Sequence, residues 1–126
     1  MESKTYYERK PLPENVRKEV RASLVAAIGE ASVSDKEVDL AAYSRDFWPI
    51  TLRWTLDGKF AALPDFIAWP ENAEQVSAII KLANKCKIPV IPFGEGSGVM
   101  GGVVPCNGGI VVDMKKLNKI LEINDK

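Results

Sequence analysis

Along the chain, apolar residues first recur at helical spacing between Glu14 and Ile28. Val16, Val20, Leu24, Ala27 and Ile28 share one face, with Arg17, Lys18 and Arg21 elsewhere, which predicts an amphipathic helix. Pro11-Leu12-Pro13 punctuates the approach, Glu14 suits the positive end of the helix dipole, and Gly29 is a natural stop. Residues 31–62 lose this regularity. Ser34 is placed to cap a short helical turn through Leu40, with Glu37 completing a capping box. The aromatic run "YSRDFWP", Tyr43 to Pro49, ends in proline, and Leu56-Asp57-Gly58-Lys59 has the composition of a reversal.

From Pro64 the pattern changes to strands alternating with helices. Phe66 to Trp69 is a short apolar strand stopped by Pro70. Asn72 caps the next helix with Gln75 three residues on, and Val76, Ile79, Ile80 and Ala83 form its stripe. Lys85 and Lys87 sit favourably at its C-terminal end. Ile88 to Phe93 predicts a second strand and Ile110 to Val112 a third. Met114 to Asn118 reads as a short turn or helix, and Lys119 to Ile123 as a fourth strand by its alternation. The first unit is a βαβ crossover, right-handed by default. The fold class is therefore α+β with an α/β-like first lobe: an N-terminal helix, then a small βαβ-β-β sheet flanked by helices.

Composition narrows the function classes. The chain has 126 residues, 46% hydrophobic and 27% charged, which suits one soluble globular domain. A net charge of zero lacks the electrostatic footprint of a nucleic-acid binder. No stretch approaches the roughly 20 apolar residues of a membrane span. The polar start, MESKTYYERK, has no signal-peptide core, so a cytoplasmic location is expected. With no histidine, the chain alone builds no Ser-His-Asp triad and no histidine base. Cys86 and Cys106 without histidine or a CxxC do not make a zinc site, so no metal is expected. Cys86 reads as a small apolar residue at a helix end and Cys106 as a loop residue.

The segment "PFGEGSGVMGG", Pro92 to Gly102, holds five of the nine glycines. Bare backbone after a strand serves to approach a phosphate through peptide N–H groups, or is simply an exposed turn. A Walker A loop is excluded, because Gly96 to Gly101 has its spacing but Gly102-Val103 stands where Lys-Ser/Thr is required. Gly96-Ser97-Gly98-Val99-Met100-Gly101 literally matches GxGxxG. The dinucleotide fingerprint, however, needs a helix to begin there, and Gly102 to Gly109 cannot propagate one.

Pro70, Glu74 and Val76, then Ile88, Pro89, Val90, Pro92, Gly94, Gly96, Ser97 and Gly101, then Pro105, Asp113, Leu117 and Asn118 fall in a distinctive order and spacing. In this pattern the chain resembles the N-terminal flavin-binding lobe of the FAD-linked oxidases, the vanillyl-alcohol-oxidase or PCMH type. That family includes D-lactate dehydrogenases, the flavoprotein component of glycolate oxidase and alkyldihydroxyacetonephosphate synthase. Tyr43-Ser44-Arg45-Asp46 resembles the segment that precedes the lobe. The resemblance implies a division into residues 1–42, an N-terminal helical segment, and 43–126, an incomplete first lobe of the FAD-binding domain. It implies FAD, expected to be non-covalent because the loop lacks the flavin-linking histidine of some relatives, with Phe93, Gly94, Glu95, Gly96, Ser97 and Gly98 lining the diphosphate and a hydroxyl donor from Ser97. Gly101 and Gly102 would permit close approach nearer the isoalloxazine.

Three departures accompany it. Glu95 stands where many relatives have glycine, and a carboxylate there repels a diphosphate. No histidine is present near Ser97 to link a flavin. Phe93 stands where lactate-dehydrogenase-like relatives often have arginine. The function implied is the FAD-binding part of an oxidoreductase that passes a hydride from a 2-hydroxy acid, such as glycolate or D-lactate, to flavin. The alternatives are a synthase-like enzyme, or an orphan lobe without FAD or activity alone. No general base is identified, because Asp46, Asp65 and Asp113 read as turn or helix-end residues. The chain is expected to be a piece of a longer or split enzyme, its sheet presenting an apolar face to a missing portion, a separate polypeptide or a second copy.

Overall fold

The computed structural model describes residues 4, 5, 7 and 9–126, so the polar start lies partly outside the described residues. The strands are β1 (Lys4–Thr5), β2 (Val33–Ser34), β3 (Lys59–Phe60), β4 (Phe66–Ala68), β5 (Val90–Phe93) and β6 (Ile110–Asp113). The helices are α1 (Glu14–Ile28), α2 (Glu37–Ala42), α3 (Pro49–Leu56) and α4 (Ala73–Cys86), with a 3-10 turn over Glu30–Ser32. This is the expected α+β architecture.

The main sheet has the order β2-β4-β6-β5. Strands β4, β6 and β5 are mutually parallel where they pair, while β2 runs antiparallel to β4. A parallel pair needs a crossover, and α4 supplies it between β4 and β5. β6 then enters between them, with Ile110 opposite both Phe66 and Val90. β1 and β3 form a separate two-stranded parallel ribbon.

The sequence accounts for the two long helices closely. In α1, Val20, Leu24 and Ile28 are buried as the stripe requires, whereas Ala27 is exposed at its margin. In α4, Asn72 accepts a hydrogen bond from the Gln75 amide (2.9 Å), and Gln75 Oε1 accepts one from the Glu71 amide (2.7 Å). Ile79 and Ala83 are buried; Ile80 is partly exposed. Lys87 closes α4 in the left-handed conformation (φ 54°).

One face of the sheet packs Phe66, Ile110 and Val112 against Val20, Leu24, Ile79 and Ala83 of α1 and α4. Each fully buried side chain of this size stabilises the fold by about 1.5–3 kcal/mol. The other face packs Ile67, Val111 and Phe93 against Leu40 of α2, with Tyr43, Trp69 and Val103 around them. The bare sheet face expected from the sequence is therefore not there, because α2 and the Tyr43 segment cover it. The exposed apolar residues lie elsewhere, at Phe47, Ile50, Val99 and Met100 and along the C-terminal segment.

Three further expectations are corrected. Ser34 belongs to β2 and does not cap α2, whose N-terminal flank is Lys36; its hydroxyl instead accepts from the Lys36 amide and donates to Asp39. Pro49 opens α3 rather than ending an aromatic stretch, since proline has no N–H to lose at the first helical position. Lys119 to Ile123 forms no strand: Ile120, Leu121 and Ile123 are 80%, 92% and 83% exposed. Alternation alone does not make a strand without a neighbour to pair with and a surface to cover.

Candidate functional site

The connection from β5 to β6 starts at the carboxyl end of β5 and, because the two strands are parallel, runs back to the amino end of β6. Its glycine-rich start is therefore at the carboxyl edge of the parallel strands, where ligands bind in open α/β sheets. Phe93, the last residue of β5, is buried with its ring edge-on to Tyr43 at 4.8 Å. The five glycines beyond it divide by what a side chain would meet. At Gly96 (φ 65°) a Cβ would come within 2.6 Å of the Phe93 ring, so the loop folds down onto that ring. At Gly98 it would meet Asp46 Oδ2 at 3.1 Å, and at Gly101 (φ 76°) the Trp48 ring at 2.7 Å. Internal packing explains these three. At Gly94 and Gly102 a Cβ would meet nothing within 4 Å, so nothing inside the protein requires them to be bare.

Asp46 holds the loop. It is 3% exposed, and its carboxylate accepts from the Trp48 amide (2.9 Å) and from the Gly101 amide (3.0 Å). The Gly98 carbonyl accepts from the Phe47 amide at 2.9 Å. The Tyr43–Trp48 segment is thus the clamp on the glycine loop. Among the described residues, the amides of Gly94, Glu95, Gly96, Ser97 and Gly98 donate to no protein acceptor. A run of amides without protein acceptors after a strand is the backbone chemistry from which anion cradles are built. Ser97 and Glu95 are exposed. A shallow cavity of about 150 Å³ beside the loop is lined by Arg45, Asp46, Phe47, Phe93, Glu95 and Gly96.

The reading of Asp46, Asp65 and Asp113 as turn or helix-end residues is too weak: all three are buried and bind loop segments. Asp65 accepts from the Gly109 amide (2.7 Å) and pairs with Arg9 (2.9 Å), pinning the far end of the glycine connection to β4. Asp113 ends β6, accepting from Tyr43, from the Lys115 amide (2.9 Å) and from Lys115 Nζ (2.7 Å). Burial pushes Asp113 up, but the hydrogen bonds from Lys115 and Tyr43 prevail and hold it below the usual carboxylate range. Burial, with the Asp113 hydrogen bond, pushes the Tyr43 hydroxyl above its ordinary value. All three carboxylates are committed to internal partners, so none is placed as a base. The sequence signal that marks Asp46 and Tyr43 is their place in the Tyr-Ser-x-Asp segment. Cys86 packs at the margin of the core, Cys106 is half-buried, and no metal-binding cluster exists among the described residues. No helix among them is long and apolar enough to cross a membrane.

Residues 64–126 match the family of the FAD binding domain. The chain is 28% identical over 111 residues to glycolate oxidase subunit GlcD of Bacillus subtilis (strain 168), covering 88% of this chain and 22% of that protein. It is 35% identical over 102 residues to D-2-hydroxyglutarate dehydrogenase of Xanthomonas citri pv. viticola, covering 81% of this chain and 20% of that protein. The chain thus spans about a fifth of the length of these curated relatives. Its fold is similar to that of a solved alkyldihydroxyacetonephosphate synthase (TM-score 0.81, 23% identity, 94% of this chain and 24% of that one).

Proposed function

Because this chain belongs to the FAD binding domain family, we propose that its glycine loop cradles the FAD diphosphate in an oxidoreductase acting on a 2-hydroxy acid. The observation that carries the site is the run of unpaired amides from Gly94 to Gly98, beside a glycine that has no internal reason to be bare. Phe93, Gly94, Glu95, Gly96, Ser97 and Gly98 take the diphosphate, and Ser97 adds a hydroxyl donor. Gly101 and Gly102 border the flavin end, and residues 43–126 act as the first lobe of the FAD-binding domain, with β2 adding a strand to its sheet and α1 and α2 packed on its two faces. No histidine of this lobe can link the flavin, so the cradle itself holds FAD through non-covalent contacts.

When bound, FAD supplies hydride acceptance from the carbon that carries the substrate hydroxyl. What this chain contributes is the cradle: a loop tied at Gly101 by the Asp46 clamp, and a Phe93 ring that supports the turn at Gly96. Two relatives named for glycolate and D-2-hydroxyglutarate, both 2-hydroxy acids, support that substrate class. The likeness to the synthase shows the fold alone and does not favour its chemistry.

The test is flavin absorbance of the purified chain, with and without added FAD. Stoichiometric flavin is the expected result. Protein that stays colourless at saturating FAD would leave an orphan lobe that folds without its cofactor.

A further inference from the structure

Lys115 is the second residue after β6, and its side chain crosses to the glycine loop. Its ammonium donates to Asp113 Oδ2 (2.7 Å) and to the Gly94 carbonyl (3.0 Å). It sits 4.9 Å over the Phe93 ring and 5.4 Å from the Tyr43 ring, within cation–π range of both. Asp113, which anchors it, is itself fixed by Tyr43, whose hydroxyl accepts from Trp69 Nε1 at 3.0 Å. Lys115 is therefore a fixed strut rather than a swinging surface lysine.

We propose that Lys115 is a positioning residue for the cradle, setting the plane of the Gly94–Glu95 peptide and offsetting the charge of Glu95. The proposal rests on the loop being an FAD site. In a trans peptide the C=O of one residue and the N–H of the next point in opposite directions. By gripping the Gly94 carbonyl, Lys115 turns the Glu95 amide away from itself and holds it there. The same ammonium supplies a positive charge beside the one loop residue whose charge opposes a diphosphate. Burial alone would ease the proton off Lys115; the Asp113 hydrogen bond and charge keep it on, with smaller help from Tyr43 and Glu95.

Wild type, K115M, K115R, E95Q and E95Q/K115M are titrated with FAD, and backbone order parameters of the FAD-free proteins are measured by 15N relaxation. Wild type should bind, and K115M should bind about tenfold more weakly, the loss of one charge-assisted contact. K115R should recover most of this, and E95Q should recover part of it in the K115M background. Without FAD, the Glu95 and Gly96 amides of K115M should fall from about 0.85 toward 0.6 in order parameter, with β6 unchanged. A merely structural lysine would loosen β6 as well and would be blind to Glu95. Equal FAD affinity in wild type and K115M overturns the positioning role alone, whereas a wild type that binds no FAD overturns the cradle and this role with it. Should K115M not fold, K115Q, which keeps a donor for the Gly94 carbonyl without the charge, carries the same comparison and should fall between wild type and the tenfold loss; wild-type affinity there overturns the charge offset.

Discussion

Replacing Asp46 with alanine tests whether the Tyr43–Trp48 segment truly clamps the glycine loop. The carboxylate makes two hydrogen bonds to backbone amides, at Trp48 (2.9 Å) and Gly101 (3.0 Å). Hydrogen bonds to a charged acceptor contribute about 1.5–3 kcal/mol each. Trp48 and Gly101 are only half-buried, so water would partly satisfy the orphaned amides, and the lower end of the range applies. Asp46→Ala should therefore cost about 3 kcal/mol in unfolding free energy. With a urea slope of about 1–3 kcal/mol/M, the midpoint should move down by roughly 1.5 M. Asp46→Asn keeps one acceptor oxygen and should lose about half as much. Urea titrations followed by far-UV circular dichroism give the midpoints, and tryptophan fluorescence in a background with Trp54 and Trp69 replaced by phenylalanine reports Trp48, whose ring packs on Gly101. Amide exchange should quicken at Gly101 and stay slow at Val111. A D46A midpoint within roughly 0.2 M of wild type, about 0.4 kcal/mol at a mid-range slope, would refute the clamp.

Other outcomes follow from the same geometry. Gly94→Ala and Gly102→Ala should leave the thermal midpoint nearly unchanged, because each Cβ meets nothing of the protein within 4 Å, and should weaken FAD if the proposed cradle is its site. Gly96→Ala and Gly101→Ala, each with positive φ and a ring within 3 Å, should cost about 2–4 kcal/mol before any ligand is added. Asp113 has a folded pKa below its unfolded value, so its contribution is complete above about pH 4 and is lost as pH falls through the lower folded value. Urea midpoints of wild type should exceed those of Asp113→Asn at neutral pH, and the gap should close as pH falls below about 4.

Local signals are legible where the interaction itself is local. The α1 and α4 stripes, the Asn72 cap and the Asp57-Gly58 reversal depend on residues three or four apart, and the sequence states them. Pro49 is ambiguous, because proline both stops one element and starts another, and only the packing of Thr51 and Trp54 beyond it decides for a helix. A two-residue strand such as β2 has no periodicity to read. The role of Asp46 depends on Gly101, 55 positions away, and that of Asp65 on Gly109, 44 away, so neither has a local signature. The glycine loop stands out in the sequence, but composition does not separate glycines required by the Phe93 and Trp48 rings from those left bare toward the outside.

The strand that comes last in the sheet, β6, sits between β4 and β5. The crossover through α4 consequently encloses a gap, and the sheet has no continuous hydrogen-bonding until the glycine loop has reversed the chain and β6 has threaded in. The loop thus stands on the folding route itself. Substitutions at Gly96 or Gly101 should slow refolding, since the reversal they obstruct precedes sheet completion. A ligand of the finished loop arrives after that step, and should act on the chevron's unfolding arm while leaving the refolding arm where it is.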